Sequence, residues 1–178
     1  MKLPRVTTII KDAGLMPWMP ENQAAMDKGS KIHRAIHYWC EGDLDEDDID
    51  PVIAGHLESF KAALSVLEWN VLHSELRIES AHGYRGTLDL ILVDKPGNRI
   101  LADIKTGQPA AWHAIQVALY TLAYEEQTGD RIKKRFSIYT KESGAAAATP
   151  EHKDRKDFVT ARAAVTIHRW RLDHGLLE

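Results

Sequence analysis

The sequence has only one cysteine, Cys40, among its 178 residues. An intrachain disulfide is therefore impossible, as is a cysteine-ligated iron–sulfur cluster or zinc ribbon. The sequence also lacks any apolar run near the roughly 18 residues that a membrane-spanning helix requires, so we expect no contact with a membrane. It does not open with a charged and then apolar segment of the secretory type, and we expect a cytoplasmic setting.

Acidic residues outnumber basic ones, and the formal net charge is −3. Seven of the 26 acids lie in residues 41–50, which contain no Lys or Arg, and we expect this segment to be a solvated connector. Ten of the 23 basic residues lie in three clusters near Lys31, Arg135 and Arg155, from which we expect phosphate contacts. These clusters are compatible with a basic groove for nucleic acid, although ordinary solvated faces account for them equally well.

Hydrophobic periodicity predicts helix, helix, three strands, helix, strand and helix, in that order. The helices are predicted at about 22–40, 51–69, 110–127 and 154–174, and the strands at about 71–79, 84–93, 99–105 and 132–140. This order is typical of an α/β or α+β domain with a small mixed sheet flanked by helices. We expect one domain over residues 1–178, with a helical part over 1–70 and a sheet-containing core over 71–178.

Two predicted strands bring carboxylates and a lysine together. The strand at 84–93 alternates, and one of its sides is expected to carry Leu88, Leu90 and Leu92. Asp89 then lies on the other side, and Asp103 and Lys105 share a face of the next strand. If the intervening turn is a three-residue loop with Gly97 in the left-handed conformation, Asp89 pairs across from Asp103. The two carboxylates then project from one face of the sheet, a few ångströms apart.

Two carboxylates at that distance repel each other unless a hard cation lies between them. A Mg²⁺ or Mn²⁺ ion there could polarise a phosphate, and Lys105 could orient a water or stabilise the charge of the transition state. The Asp-x-Lys pattern is common, however, and residues 154–156 show a related charged pattern at the expected start of a helix. Asp103 differs because it ends an apolar strand, where an unpaired charge is costly.

Several short motifs follow one another along the chain. They are Gly86-Thr87-Leu88-Asp89, Asp103-Ile104-Lys105-Thr106-Gly107 and Gln116-Val117-Ala118-Leu119-Tyr120. This ordered combination resembles the PD-(D/E)XK nuclease superfamily and, within it, the RecB-like branch with its short phage-encoded exonucleases. Residues 29–33 are similar to the G-x-x-x-H motif of that branch. Two departures are that Leu88 replaces the proline before the aspartate, and that the four-cysteine cluster of some relatives cannot form.

The resemblance implies a restriction-endonuclease-like core and a metal-dependent deoxyribonuclease. It implies that Asp89 and Asp103, together with the backbone carbonyl of Ile104, hold one or two Mg²⁺ or Mn²⁺ ions. It further implies that His33 is an additional metal ligand and that Lys105 is the catalytic lysine. By its own pattern, without the family, His33 is typical of a surface histidine on a helix.

Other residues are expected near this site. Gln116 and Tyr120 are four residues apart and share a helix face, where they could bridge the metal site to a phosphate or form a partly buried pair. Glu75 is expected either to assist the site or to be a solvated residue at a strand end. The residues expected to contact nucleic acid are Lys31, Arg85, Thr106, Trp112 and Tyr120, with Trp112 either stacking on a base or packing in the core.

The main functional prediction is a DNA exonuclease that acts from the ends of linear DNA. Independence from ATP is expected because the sequence has no G-x-x-x-x-G-K-[ST] phosphate loop. The resemblance implies a phage or prophage role in recombination, repair or replication, which could involve a recombination partner protein. Two alternatives stay open: a structure- or sequence-specific endonuclease on the same fold, and a non-catalytic DNA-binding or assembly module. The oligomeric state also stays open.

Overall fold

The computed structural model describes residues 3–18, 20 and 22–177. In this part of the chain the elements are α1 (Val6–Asp12), α2 (Gln23–Glu41), α3 (Pro51–Leu67), β1 (Asn70–Ser80), β2 (Tyr84–Val93), β3 (Arg99–Lys105), α4 (Trp112–Thr128), β4 (Lys134–Tyr139) and α5 (Lys156–Asp173). A short 3₁₀ helix, Glu46–Asp48, lies within the acidic segment before α3. Among the described helices, none is long and apolar enough to cross a membrane.

The eight elements predicted from periodicity are all present, and their ends differ from the predicted ones by at most two residues. Pro51 opens α3 as predicted, and the Asp50 side chain caps this helix by accepting a hydrogen bond from the Val52 N–H at 2.9 Å. Helix α1 was not predicted, because its seven residues give fewer than two full turns in which a 3.6-residue period could show.

The four strands form one sheet in the order β1-β2-β3-β4. The first two pairings are antiparallel, and the β3–β4 pairing is parallel because α4 carries the chain back across the sheet. One face of the sheet packs against α1, α4 and α5, and the other packs against α2 and α3. The predicted class, a small mixed sheet flanked by helices, is therefore confirmed.

The alternation of side chains along β2 changes phase at Asp89. The prediction that Leu88, Leu90 and Leu92 share one side is wrong, because Leu88 packs in the cluster with α4 while the two others pack against α2 and α3. The neighbouring strand is also irregular here, because Glu75 has a φ of 52° and is skipped in the β1–β2 pairing beside Asp89. A register shift in the same strand lies between Val71 and His73.

Candidate active site

The register of the β2–β3 hairpin brings Asp89 next to Asp103. The turn is the predicted three-residue loop, with Gly97 at a φ of 87°. Regular pairing continues as far as Leu90 and Ala102, so the next residues on the two strands are the two aspartates. Beyond that pair, a side chain takes the place of a backbone acceptor, because Asp89 Oδ2 accepts a hydrogen bond from the Ile104 N–H at 2.6 Å.

Asp103 is only 2% exposed, and its Oδ2 lies 2.5 Å from Lys105 Nζ. This buried ion pair is the contact that the Asp103 Oδ2 atom makes with a cation in the described residues. Burial raises the pKa of Asp103 to about 6; attraction to Lys105 opposes this rise, and repulsion from Asp89 adds to it. Asp103 therefore lies buried against one lysine, in the same pocket as His33 and Asp89.

Helix α2 and strand β1 each add a group beside Asp89. His33 Nδ1 lies 3.3 Å from Asp89 Oδ1. One ligand atom from each of His33, Glu75 and Asp89 lies within 4.8 Å of the other two. Burial lowers the pKa of His33, but the negative charge of Asp89 outweighs burial and raises this pKa to about 9. Burial also raises the pKa of Glu75, and repulsion from Asp89 adds to that rise. Oxygen and nitrogen ligands thus converge where negative charge is concentrated.

The backbone of Glu75 is left-handed, with a φ of 52°, although the residue lies inside a strand. In the described part of the chain, Glu68 is the other non-glycine residue with positive φ, and it ends helix α3, where this conformation is ordinary. Glu75 has no such role, and the conformation costs about 1–3 kcal/mol. This strain is retained at the position that directs a third acidic side chain to His33 and Asp89.

Helix α4 supplies a second wall of the site. Lys105 Nζ donates a hydrogen bond to Gln116 Oε1 at 2.7 Å, and Gln116 Nε2 donates to the Tyr120 hydroxyl at 3.3 Å. The ring of Trp112 lies 5.3 Å from Nζ. Lys105 is therefore held by Asp103 on one side and by α4 on the other, which fixes where its charge points.

Two cavities meet at His33 and Asp89. The first, of about 570 Å³, is lined by groups that include Asp103, Lys105 and Trp112. The second, of about 930 Å³, lies between α2 and β1 and includes Glu75, Arg34 and Arg77. Thr106 lines both cavities, so the two form one groove past the carboxylates.

Two glycines lie against side chains that line this groove, Thr106 and Tyr120. A Cβ at Gly29 would lie 3.4 Å from Thr106 Oγ1. A Cβ at Gly86 would lie 2.6 Å from Tyr120 Cε1, so a larger residue there requires the ring to move. Close packing against Tyr120 therefore accounts for Gly86, which begins the G-x-x-D motif, whereas 3.4 Å at Gly29, which begins the G-x-x-x-H motif, is near ordinary van der Waals contact.

The residues expected to contact nucleic acid are not all at the groove. Thr106, Trp112 and Tyr120 line it, and the half-buried Trp112 also packs against the core. Arg85 lines a third cavity, described below. Lys31 is exposed on α2 and is not among the residues that line the two cavities at the carboxylates.

Within the basic cluster predicted near Arg135, the Arg135 side chain itself is buried. Arg135 is 5% exposed, and its Nη2 donates to Asp157 Oδ2 at 3.1 Å and to the Asp154 carbonyl at 3.0 Å. This guanidinium therefore links β4 to the start of α5 through hydrogen bonds. The sequence analysis did not predict that Arg77 lines the groove. Arg77 follows Glu75 by two residues on a predicted strand, and this spacing was the available signal.

No protein-family model matches the sequence. No curated protein matches it either. The chain is similar to a solved structure from Eubacterium rectale, provisionally named an exonuclease, with 15% identity and a TM-score of 0.59 over 99% of this chain and 83% of that one. A second solved structure is 17% identical with a TM-score of 0.39, over 78% of this chain and 71% of that one. The first likeness shows a shared fold.

Proposed function

We propose that this protein is a metal-dependent DNA exonuclease of the RecB-like branch of the PD-(D/E)XK superfamily, acting from DNA ends without ATP. The observation that carries the proposal is the convergence of Asp89, Asp103 and Lys105 at one end of the β2–β3 hairpin, beside His33 and Glu75. The fold shared with a structure provisionally named an exonuclease supports it. The helical part, residues 1–70, contributes His33, and residues 71–178 contribute the other groups to a single nuclease domain.

The side chains present fit a divalent cation. Asp89, Asp103 and His33 would hold it, assisted by Glu75 and the Ile104 carbonyl, and the convergence of one ligand atom each from His33, Glu75 and Asp89 within 4.8 Å is the observation that favours this fit. Bound there, Mg²⁺ or Mn²⁺ would supply Lewis-acid polarisation of a phosphate. A nitrogen ligand from His33 shifts the preference somewhat toward Mn²⁺, since imidazole suits softer ions than Mg²⁺.

The protein's own groups would position and stabilise the reacting phosphate. Lys105 would orient the attacking water or neutralise charge that develops on the phosphate oxygens. Its ammonium is preorganised, because Gln116 accepts one of its protons and Asp103 lies against it. The Tyr120 hydroxyl accepts from the Gln116 amide nitrogen, which keeps the amide oxygen turned toward the lysine.

Action from an end follows from how such a groove can select DNA. Sequence-specific reading needs several side chains presented to a groove of the duplex, whereas phosphate contacts give affinity without sequence preference. The cavity beside Trp112 and Tyr120 has a volume of about 570 Å³ and suits a strand end better than continuous duplex. In line with the phage-encoded members of that branch, we place its role in the recombination, repair or replication of DNA.

A time course on two DNA substrates of identical sequence tests the proposal. One is linear and labelled at its end, and the other is covalently closed. With Mg²⁺ or Mn²⁺ the linear DNA should shorten from its end while the circles survive, and chelation should stop the reaction until metal is restored. Full activity after exhaustive chelation would exclude a metal mechanism.

The same assay separates the alternatives. Rapid cutting of the closed circles into discrete fragments would favour an endonuclease. DNA binding without cleavage of either substrate, at any metal concentration, would favour a non-catalytic module. Lys105→Ala, purified in the same way, serves as the low-activity control in each reaction.

A further inference from the structure

A third cavity, of about 600 Å³, lies where the segment before α1 meets β1 and β2. Its lining includes three arginines, Arg5, Arg77 and Arg85. In the described part of the chain, none of these three guanidinium groups forms an ion pair; the arginine ion pairs found there belong to Arg99, Arg131 and Arg135. Glu79 also lines the cavity, so three cations face one carboxylate. Cations gathered without counter-charges repel one another, and an anion between them relieves that repulsion.

The backbone holds the three arginines in place. Arg5 and Arg85 form an isolated parallel bridge, and the Arg85 N–H donates to the Pro4 carbonyl at 2.9 Å. Arg85 Nε donates to the Leu3 carbonyl at 3.0 Å, which leaves its two terminal nitrogens for another acceptor. Arg77 lies on β1, paired with Thr87 on β2. The cavity is therefore built on strands, which position side chains more accurately than loops.

The arginine cavity is continuous with the candidate active site. Arg77 and Thr87 line both this cavity and the one that contains Glu75 and Asp89. Tyr120 lines both this cavity and the one that contains Lys105. Arg77 follows Glu75 by two positions, which spans about 6–7 Å along a strand. This separation is on the scale of one nucleotide step along an extended strand.

We propose that Arg5, Arg77 and Arg85 bind a backbone phosphate of the substrate strand, next to the phosphate that is cleaved. The inference rests on the proposed function, because it takes the strand to pass the carboxylates. Guanidinium groups suit this ligand, since their planar fork matches two phosphate oxygens at once. The subsite sets the affinity and register of the strand, while the chemistry stays at Lys105.

The first test measures DNA binding by variants made in the Lys105→Ala background with Mg²⁺, where cleavage does not interfere. Arg77→Gln and Arg5→Gln should each weaken binding about tenfold or more. Each should also lower the slope of log affinity against log salt by about 0.7–0.9, the change expected for one lost phosphate contact. Lys95→Gln removes the same charge at the far end of β2 and should change neither quantity. Arg77→Lys should keep the salt slope but lose affinity, because it keeps the charge without the fork.

The second test locates the phosphate. In a set of DNA strands, each strand carries one neutral methylphosphonate, at a different position from strand to strand. Binding of each strand is measured with the protein that keeps Arg77 and with Arg77→Gln. One position near the scissile bond should weaken binding by the Arg77 protein and have little effect on Arg77→Gln. Equal losses in both proteins at every position would overturn the subsite, as would Arg77→Gln and Arg5→Gln binding like Lys95→Gln. A protein that binds no DNA at all would overturn the proposed function as well.

Discussion

The two ends of the β2–β3 hairpin carry similar side chains in different surroundings. At the turn, Asp94 lies 3.3 Å from Lys134, and at the open end Asp103 lies 2.5 Å from Lys105. Asp94 also accepts hydrogen bonds from the backbone N–H and the side-chain amide of Asn98. Within the described residues, Asp103 Oδ2 has the Lys105 ion pair but accepts no hydrogen bond from a backbone N–H or an amide. The first aspartate is held by an amide, a backbone N–H and a lysine, and the Oδ2 atom of the second by a lysine alone.

Burial alone does not separate the two positions, because Asp94 is 8% exposed and Asp103 is 2% exposed. Hydrogen bonding separates the two aspartates. Asp94 accepts three hydrogen bonds from Asn98, as is typical of an aspartate that closes a turn, whereas Asp103 Oδ2 is buried with only the Lys105 ion pair. We infer that the turn end stabilises the hairpin and that the open end sacrifices stability for function. Matched substitutions at the two ends can test this division.

The largest difference in cleavage rate is expected between substitutions of Lys105 and of Lys134. Lys105→Ala should lower the cleavage rate by about 10²–10³-fold or more, because a positioned cation at the transition state is lost. DNA binding should change little, since one lysine is a small part of a multi-phosphate contact. Lys134→Ala should cleave near the wild-type rate. The measurements are product release from end-labelled linear DNA and direct binding. Cleavage by Lys105→Ala at the wild-type rate would show that the site is elsewhere.

The two aspartates should give opposite results for stability and activity. Asp103→Asn should lose metal binding and cleavage while keeping or raising the melting temperature, because a buried and repelled charge is removed. Asp94→Asn should lower the melting temperature and keep cleavage. Thermal unfolding without metal and calorimetric metal titration measure the two effects. A loss of stability in Asp103→Asn, with none in Asp94→Asn, would reverse the comparison.

The turn made much of the open end predictable. Gly97 follows Lys95 and Pro96 in a segment that fits a three-residue loop, and loop length fixes which residues lie opposite each other. Counting from that turn places Asp89 beside Asp103, as the observed register does. The position of Gln116 relative to Tyr120 was also predictable from local sequence, since four residues make about one helical turn.

The rest depends on contacts that local sequence does not encode. Glu75 adopts a left-handed backbone that its residue type does not favour, and Leu88 packs in a different layer from Leu90, and nothing in the neighbouring sequence predicts either. Arg135 was expected to be exposed because its neighbours in sequence are basic. It is buried because β4 packs beside the start of α5, where Asp157, 22 positions later, accepts its hydrogen bond.

A smaller effect is expected from two histidines on α2, one turn apart. His33→Ala should weaken metal affinity by about 10–100-fold, by analogy with the loss of a group that supports a metal site. High Mn²⁺ should then restore part of the cleavage. His37→Ala is the control, because His37 Nδ1 is paired with Ser74 Oγ at 2.5 Å and is outside the ligand group. Metal titrations of cleavage measure both variants, and identical curves would place His33 outside the site.

The smallest effect is expected from a glycine near the open end. Gly86→Ala places a Cβ 2.6 Å from Tyr120 Cε1, so the ring must shift. The Tyr120 hydroxyl accepts a hydrogen bond from Gln116, which in turn accepts one from Lys105. A smaller part of the shift should therefore reach the Lys105 ammonium. We expect cleavage to fall by up to about tenfold, less than the 10²-fold that a full 1 Å misplacement can cost. Steady-state kinetics well below the melting temperature measure this change.

Gly97→Ala, at the turn end, is the matched control for that substitution. Gly97 has a φ of 87°, and an added Cβ would meet no heavy atom within 4 Å. Its cost is therefore conformational, about 1–2 kcal/mol for a left-handed alanine, and it should lower the melting temperature without changing cleavage by folded molecules. Gly86→Ala should change cleavage more than Gly97→Ala even if both lose similar stability. If cleavage instead follows the melting temperature in both variants, the two ends of the hairpin differ in sequence but not in function.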